Sequence, residues 1–227
     1  MIEINNLTKE YPDGTVANNN ICLTVNNGEV LGIIGPNGSG KTTLFRQILS
    51  ILKSSHGEIL LDGETVDASK IAYIPQFSVV FPSLTVRESI YAALRYQGKK
   101  KKEIEMNVQM ALEKTGLIDI EDNYSYTLSG GQLKLLSFAI LLASDKNIWI
   151  LDEPTSMVDI VTKEKIWSLF EENRKEKTVI ISSHDMAEVK KVCSRIAVIN
   201  KGAITHEEIV PKEDFAEFYE RMMSYVK

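Results

Sequence analysis

The sequence predicts an α/β protein: a core with a mainly parallel sheet, an antiparallel β part and a helical insertion. Three observations predict it. An apolar run, Val30-Leu31-Gly32-Ile33-Ile34, feeds a glycine-rich stretch that opens into Leu44-Phe45-Arg46-Gln47-Ile48-Leu49. That is the order buried strand, loop, helix with an apolar stripe. Two more apolar runs, at 148–152 and 178–182, have the length and character of buried strands. Between 77 and 143 no strand signal appears and helical patterns take its place.

The 227 residues suffice for one large α/β domain with a sizeable core. We therefore read 1–227 as a single domain, with a helical subdomain at about 77–143 inserted in the α/β core. The composition is that of a soluble globular protein. A formal net charge of −5 provides no general basic field, so nucleic acid is not an expected partner. No apolar run reaches the length of a membrane span. The N-terminus lacks the basic and apolar regions of a secretory signal. The two cysteines, Cys22 and Cys193, have no metal-ligand spacing and lie in apolar patterns, so both are expected to be reduced and packed. The expected compartment is cytosolic.

Gly35-Pro36-Asn37-Gly38-Ser39-Gly40-Lys41-Thr42-Thr43 fits the pattern G-x-x-x-x-G-K-[ST] in the strand–loop–helix context that this pattern needs. Its glycines let successive backbone N–H groups turn inward around an anion. The helix N-terminus adds unpaired donors and partial positive charge. Lys41 is placed to reach the β- and γ-phosphates of a nucleotide, and the Thr42 hydroxyl to ligate Mg²⁺.

Residues 2–5, 21–25 and 29–34 read as strands, with turns at Tyr11-Pro12-Asp13-Gly14 and Asn26-Asn27-Gly28. Taken alone, Tyr11 reads as a turn tyrosine packing on its own hairpin; stacking on a base is the other use of such a ring. Residues 57–61 and 71–74 read as strands around Asp62-Gly63, the second stopped by Pro75. Gln76 then sits at a strand end, where α/β folds place ligands, although a polar loop residue is the plainer reading.

Thr85 and Glu88 form a capping-box pattern for a helix through about Tyr96. A second helix follows, with Ile104, Val108, Ala111, Leu112 and Thr115 on one face. The lysines at 99–102 between them read as a hydrated joint rather than a lipid contact. Ser129 and Gln132 form another capping-box pattern, ahead of a helix that is apolar nearly all round and so largely buried. Gly130 and Gly131 occupy its first turn, where each weakens a helix by about 1 kcal/mol relative to alanine. Close approach of a second anion to this N-terminus is the functional reading; a flexible helix start is the other.

The strand at 148–152 ends in Asp152 and Glu153. Asp152 suits Mg²⁺, and Glu153 could polarise an attacking water. After the strand at 178–182, His184 stands on the same rim as the glycine-rich loop, and Asp185 with Glu188 caps a helix. Residues 195–200 and 203–206 form a closing hairpin. The tail, 213–227, carries Phe215, Phe218, Tyr219, Met222 and Met223 at helical spacing, a docking stripe for the core or for a partner.

Together these residues resemble the nucleotide-binding subunit of an ABC transporter, over essentially the whole chain and in that family's motif order. Residues 35–43 look like the Walker A loop and Gln76 like the Q-loop glutamine. Leu128-Ser129-Gly130-Gly131-Gln132 reads as the signature sequence, the family's most specific mark. Residues 148–152 look like Walker B, followed by Glu153 as the catalytic carboxylate. Ser156-Met157-Val158-Asp159 looks like the D-loop, His184 like the switch histidine, and Tyr11 like the A-loop aromatic. The resemblance implies an ABC-type phosphate-loop ATPase that uses ATP and Mg²⁺. Glu153, His184 and Gln76 would act in hydrolysis, with Thr42, Asp152 and Gln76 at the metal. It assigns Tyr11 and Gln76 to the nucleotide rather than to the fold.

The resemblance further implies an ATP-dependent head-to-tail dimer, of two copies or with a related subunit. There the Walker A loop of one subunit meets the signature helix of the other, and Gly130 and Gly131 would admit the γ-phosphate. A groove beside the Q-loop and helical insertion would receive a transmembrane permease subunit, which places the protein on the inner face of the cell membrane. The sequence departs from the pattern at Leu135 and Ile140, where arginines are common, and at Met157-Val158, where Ala-Leu is usual. These departures bear on dimer contacts; the chemical groups are intact.

An ATPase subunit driving a separate permease is the leading expectation. A non-transport ATPase of the same class usually carries two cassettes or a coiled-coil or zinc-hook insertion, and neither is present in this sequence. A regulatory module without turnover is opposed by Glu153 and His184. The short insertion and bare C-terminus favour a bacterial-type exporter over an importer, by analogy.

Overall fold

Alternation inside the apolar runs builds the central layer. The computed structural model describes residues 1–211 and 215–226. Strands β3 (Val30–Ile34), β6 (Ile71–Ile74), β7 (Ile148–Asp152), β8 (Thr178–Ser182), β9 (Arg195–Asn200) and β10 (Ala203–Ile209) form a six-stranded sheet. Its order is β10-β9-β3-β8-β7-β6, parallel throughout except for the closing β9–β10 hairpin. Both faces are covered. Val30, Trp149, Leu151, Val179 and Ile181 point into one core with the helices, while Leu31, Ile33, Ile148, Ile150 and Ile180 point into a second core. That double burial explains the near-continuous apolar character of the inner strands β3, β7 and β8.

The second core is closed by an antiparallel sheet of order β2-β1-β4-β5, made by β1 (Ile2–Glu10), β2 (Val16–Val25), β4 (His56–Leu61) and β5 (Glu64–Thr65). Helix α1 (Lys41–Ile48) is wedged between the two sheets through Leu44, Phe45 and Ile48. β1 and β2 run further than the sequence predicts, because asparagines at 5–6 and 18–20 depress strand propensity. Asn6 and Asn20 adopt positive φ, of 49° and 50°, where the ladder register shifts, so they serve bulges inside long strands.

The segment from β6 to β7 holds α2 (Val86–Tyr96), α3 (Lys101–Thr115) and α4 (Gly130–Ser144), and no strand among the described residues. Both predicted capping boxes form, at Thr85/Glu88 and at Ser129/Gln132. Ile104, Val108, Ala111, Leu112 and Thr115 are all buried, as the helical spacing requires. α5 (Ile160–Asn173) is a helix that the sequence reading did not resolve. The Asp159 carboxylate caps it and Ile166, Trp167, Leu169 and Phe170 bury it. α6 (Met186–Val192) starts at the Asp185 cap. α7 (Phe215–Val226) docks through buried Phe218 and Met222; residues 213, 214 and 227 of the expected tail helix lie outside the described residues.

One thiol expectation needs correction. Cys193 is buried and its pKa is raised by that burial, whereas Cys22 is exposed on β2, where its thiol donates to Asn6 Oδ1 at 3.2 Å. Alternation sends Ile21 and Leu23 inward and Cys22 outward.

Candidate active site

The glycine-rich loop spans the gap between β3 and α1, and its glycines answer to two different demands. A Cβ on Gly35 would come within 2.1 Å of the Ile199 carbonyl oxygen, and one on Gly40, at φ +110°, within 2.4 Å of the Ala17 carbonyl oxygen. Backbone therefore presses on the loop from below, and only glycine fits. Asn18 Nδ2 donates to the Gly40 carbonyl at 3.2 Å, and the Gly202 N–H donates to the Ser39 carbonyl at 3.0 Å. Gly38, at φ +78°, has nothing within 4 Å of a would-be Cβ, so the outer surface of the loop is open. The loop is clamped on one side and free to take an anion on the other.

Lys41 is buried, and its Nζ donates back to the carbonyls of Gly35 at 2.8 Å and Pro36 at 3.1 Å. Burial lowers its pKa below that of an ordinary lysine, while Glu153 and Asp152 pull the other way. A desolvated ammonium beside open N–H groups suits a phosphate.

The two carboxylates have separate surroundings. Asp152, 1% exposed, accepts from the Thr42 hydroxyl at 2.8 Å and from the Ser182 hydroxyl at 2.6 Å. Thr42 and Asp152 thus bring hard oxygen donors together, and these residues fit Mg²⁺, which takes one or two carboxylates plus substrate phosphates. Glu153 leaves the strand with φ +51°, which turns its side chain away from that of Asp152. Its N–H donates to the Ser182 carbonyl at 3.2 Å and hydroxyl oxygen at 3.0 Å. Its Oε2 lies 2.5 Å from His184 Nδ1.

Two clefts meet over these groups. One, of about 270 Å³, is lined by the loop from Asn37 to Thr43 with Gln76, Asp152 and Glu153. The other, of about 650 Å³, shares Asn37, Gln76 and Glu153 and adds Gly35, Pro36 and His184. The structure therefore gathers Gly35, Pro36, Asn37, Gly38, Ser39, Gly40, Lys41, Thr42, Thr43, Gln76, Asp152, Glu153 and His184. Tyr11 does not line either cleft; it sits at the β1–β2 hairpin with Lys9 Nζ 5.3 Å from its ring centroid. Ser129, Gly130, Gly131 and Gln132 do not line them either.

The two signature glycines differ. A Cβ on Gly131 would come 2.8 Å from Thr162 Oγ1 in this same chain, whereas one on Gly130 would meet nothing nearer than the Met157 carbonyl at 4.0 Å. Gly131 is thus explained by packing against α5, and only Gly130 leaves free space at the helix start.

Five supporting residues were not apparent from the sequence. Ala17 and Asn18 brace the loop, and Ser182 serves both carboxylate residues. Glu188 is buried and accepts from Thr155 at 2.5 Å, Ser183 at 2.8 Å, Lys163 at 2.9 Å and Trp167 at 3.2 Å. It ties the stretch after Glu153 to the stretch before His184. Lys134 is buried beneath Gln76. A charged residue next to a run of leucines was the available signal for Lys134.

A clamped phosphate loop, a Thr–Asp oxygen pair and a glutamate–histidine pair on one rim define a phosphate-loop nucleotide hydrolase. The model of the family described as ABC transporter matches residues 18–156. The chain is 39% identical over 218 residues to the energy-coupling factor transporter ATP-binding protein EcfA of Methanothermobacter thermautotrophicus, covering 91% of this chain and 70% of that protein. It is 34% identical over 224 residues to the methionine import ATP-binding protein MetN 1 of Pectobacterium atrosepticum, covering 91% and 66%. Among solved structures, cbiO1 of Clostridium perfringens, part of the ABC transporter complex cbiONQ, superposes with a TM-score of 0.82 at 30% identity, over 98% of this chain and 92% of that one. A dimeric ATP-binding cassette in a post-hydrolysis state, bound to ADP and Pi, superposes at 0.85 with 27% identity, over 94% and 100%. The chain belongs to the ABC transporter ATP-binding family: it is an ATP-binding subunit and an ATPase, with ATP as substrate and Mg²⁺ as the usual partner of hydrolysis.

Proposed function

We propose that this chain hydrolyses ATP, as a head-to-tail dimer, to power a separate membrane permease. The observation that carries the reading is the Glu153–His184 pair, 2.5 Å apart on the rim that also holds Lys41, Thr42 and Asp152. The open N–H groups of 35–43 and the Lys41 ammonium bind and orient the β- and γ-phosphates. Thr42, Asp152 and Gln76 would hold Mg²⁺, which when bound would offset the charge of the phosphate oxygens. Glu153 Oε2 takes a proton from the attacking water as its oxygen bonds to the γ-phosphorus and the bond to the β-phosphate oxygen breaks. His184 fixes the rotamer of Glu153 through Nδ1. Tyr11 supplies a ring for the base.

Ser129 and Gly130 lie away from the clefts of their own chain, which favours a composite site completed by a second copy or a related subunit. One similar cassette is a dimer bound to ADP and Pi. We read 1–227 as one ATPase domain, with the helical segment at about 77–143 as the subdomain facing the permease. An apolar hollow of about 410 Å³ there is lined by Val79, Val80, Phe81, Ala93, Tyr96 and Ile140. Phe81 is 69% exposed and Tyr96 95%. Among the described residues no helix is long and apolar enough to cross a membrane, and docking at this hollow would hold the subunit on the cytoplasmic face through its permease.

The expectation of export rests on analogy in the insertion length. The name of the methionine import protein supports a second reading, uptake. Turnover of the purified protein with ATP and Mg²⁺, against a Glu153→Gln control, tests the ATPase assignment. Equal rates would overturn it. Reconstitution with its permease, scoring the side of the vesicle on which a transported solute accumulates, separates export from uptake.

A further inference from the structure

Lys134 lies one turn into α4, and its aliphatic neighbours Leu133, Leu135 and Leu136 give no reason for a cation there. It is 5% exposed. Its Nζ donates to the carbonyl of Gln76 at 2.6 Å, and lies 3.4 Å from those of Pro75 and Glu153. Among the described residues no carboxylate is paired with it directly; Asp152 and Glu153 act on it at longer range. Burying an ammonium costs several kcal/mol, and a lysine so placed is offset only when its three donors are all used. Here they are used on main chain, at the two turns that continue from the paired strands β6 and β7, beyond the last ladder pair Ile74–Leu151.

These two turns carry Gln76 and Glu153. The helix that supplies the cation starts at Ser129 and Gly130. We propose that Lys134 is a positioning residue for hydrolysis: a cationic strut that fixes the Gln76 and Glu153 backbones relative to the signature helix. A shift of α4, or of the 76–81 stretch beside the apolar hollow, is then transmitted to the carboxylate that activates water. The inference rests on the reading of Glu153 as the hydrolytic carboxylate.

The test compares Lys134→Met, Lys134→Gln and Lys134→Arg in the full chain, with wild type and Glu153→Gln as references. The Met side chain keeps the length and loses every donor; Gln keeps two donors without charge; Arg keeps both. Steady-state ATPase, equilibrium ATP binding and melting temperature are measured for each. The expected result for Met is a kcat lower by about ten- to a hundredfold, the loss typical of a misplaced group, with ATP affinity within about threefold of wild type. Arg should recover most of the kcat, and Gln should fall between. Amide hydrogen exchange at residues 76–78 should quicken in the Met variant before any nucleotide is added.

A Met variant with kcat within about twofold of wild type would overturn the proposal. So would a loss shared equally by Met and Arg, or one that follows the melting temperature. Should Met fail to fold, the Gln and Arg pair decides alone: Arg must exceed Gln in kcat at equal ATP affinity. An active Glu153→Gln protein would instead sink the underlying reading.

Discussion

His184 Nδ1 and Glu153 Oε2 stand 2.5 Å apart, joining the ends of β8 and β7 across the cleft. The glutamate is 8% exposed and the histidine 70%, so an open side chain holds a nearly closed one. A carboxylate aimed in this way is prepared to take a proton rather than to bind metal.

Glu153→Gln should retain ATP binding and lose hydrolysis, because the amide keeps the shape and cannot accept the proton. His184→Ala should lower kcat by about 10²- to 10³-fold, through loss of orientation, with a small change in KM. Steady-state kinetics and equilibrium nucleotide binding check both. A His184→Ala enzyme as active as wild type would remove the pair from the mechanism.

Lys41→Ala should weaken ATP binding by about 1.5–3 kcal/mol, the worth of a charge-assisted contact. Isothermal titration gives the value. Affinity unchanged within about threefold would contradict the placement of the β- and γ-phosphates on this loop.

The two signature glycines should respond differently to alanine. Gly131→Ala forces a Cβ to within 2.8 Å of Thr162 Oγ1, which Asp159 Oδ2 holds at 2.7 Å, so the monomer should lose about 1–3 kcal/mol of stability. Gly130→Ala meets nothing nearer than the Met157 carbonyl oxygen at 4.0 Å, and should leave the monomer unchanged or up to about 1 kcal/mol more stable through helix propensity. It should nevertheless weaken ATP-dependent dimerisation. Urea denaturation and light scattering separate the two effects.

Acid should weaken the fold partly through Glu29. Burial pushes its carboxyl up, and the Arg195 guanidinium with the Asn26 donors outweighs burial, leaving the pKa below the ordinary value. A depressed pKa stabilises fully above the unfolded carboxylate's value, about 4.3, and the contribution disappears as pH falls through the folded value. Glu29→Gln should therefore cost about 1.5–3 kcal/mol at neutral pH, and the gap to wild type should narrow as pH falls through the folded value. Parallel pH profiles of the two proteins would contradict this.

The sequence revealed the elements whose cause is local. Thr85 with Glu88 and Ser129 with Gln132 form their capping boxes, and the 104–115 face is buried as spaced. It also revealed the loop, Asp152, Glu153 and His184, because phosphate chemistry restricts the residue types and their order. What it concealed depends on distant partners. α5 was missed because its cap follows an irregular turn with Met157 at φ +61°. Cys22 was placed inside by the company it keeps, when strand alternation turns it out. The purpose of Gly131 depends on Thr162, and the roles of Lys134 and Glu188 depend on groups 19 to 59 and 5 to 33 positions away. No local pattern encodes such contacts.

The central claim is that ATP is held between the phosphate loop of one copy and the signature helix of another. Light scattering on the Glu153→Gln protein with Mg²⁺ and saturating ATP tests it most directly. The account predicts twice the chain mass of 25.5 kDa with ATP, the monomer mass without it, and the monomer mass again when Ser129→Arg is added to block the helix start. A mass that stays at 25.5 kDa with ATP, or a dimer that forms equally well with Ser129→Arg, would contradict it.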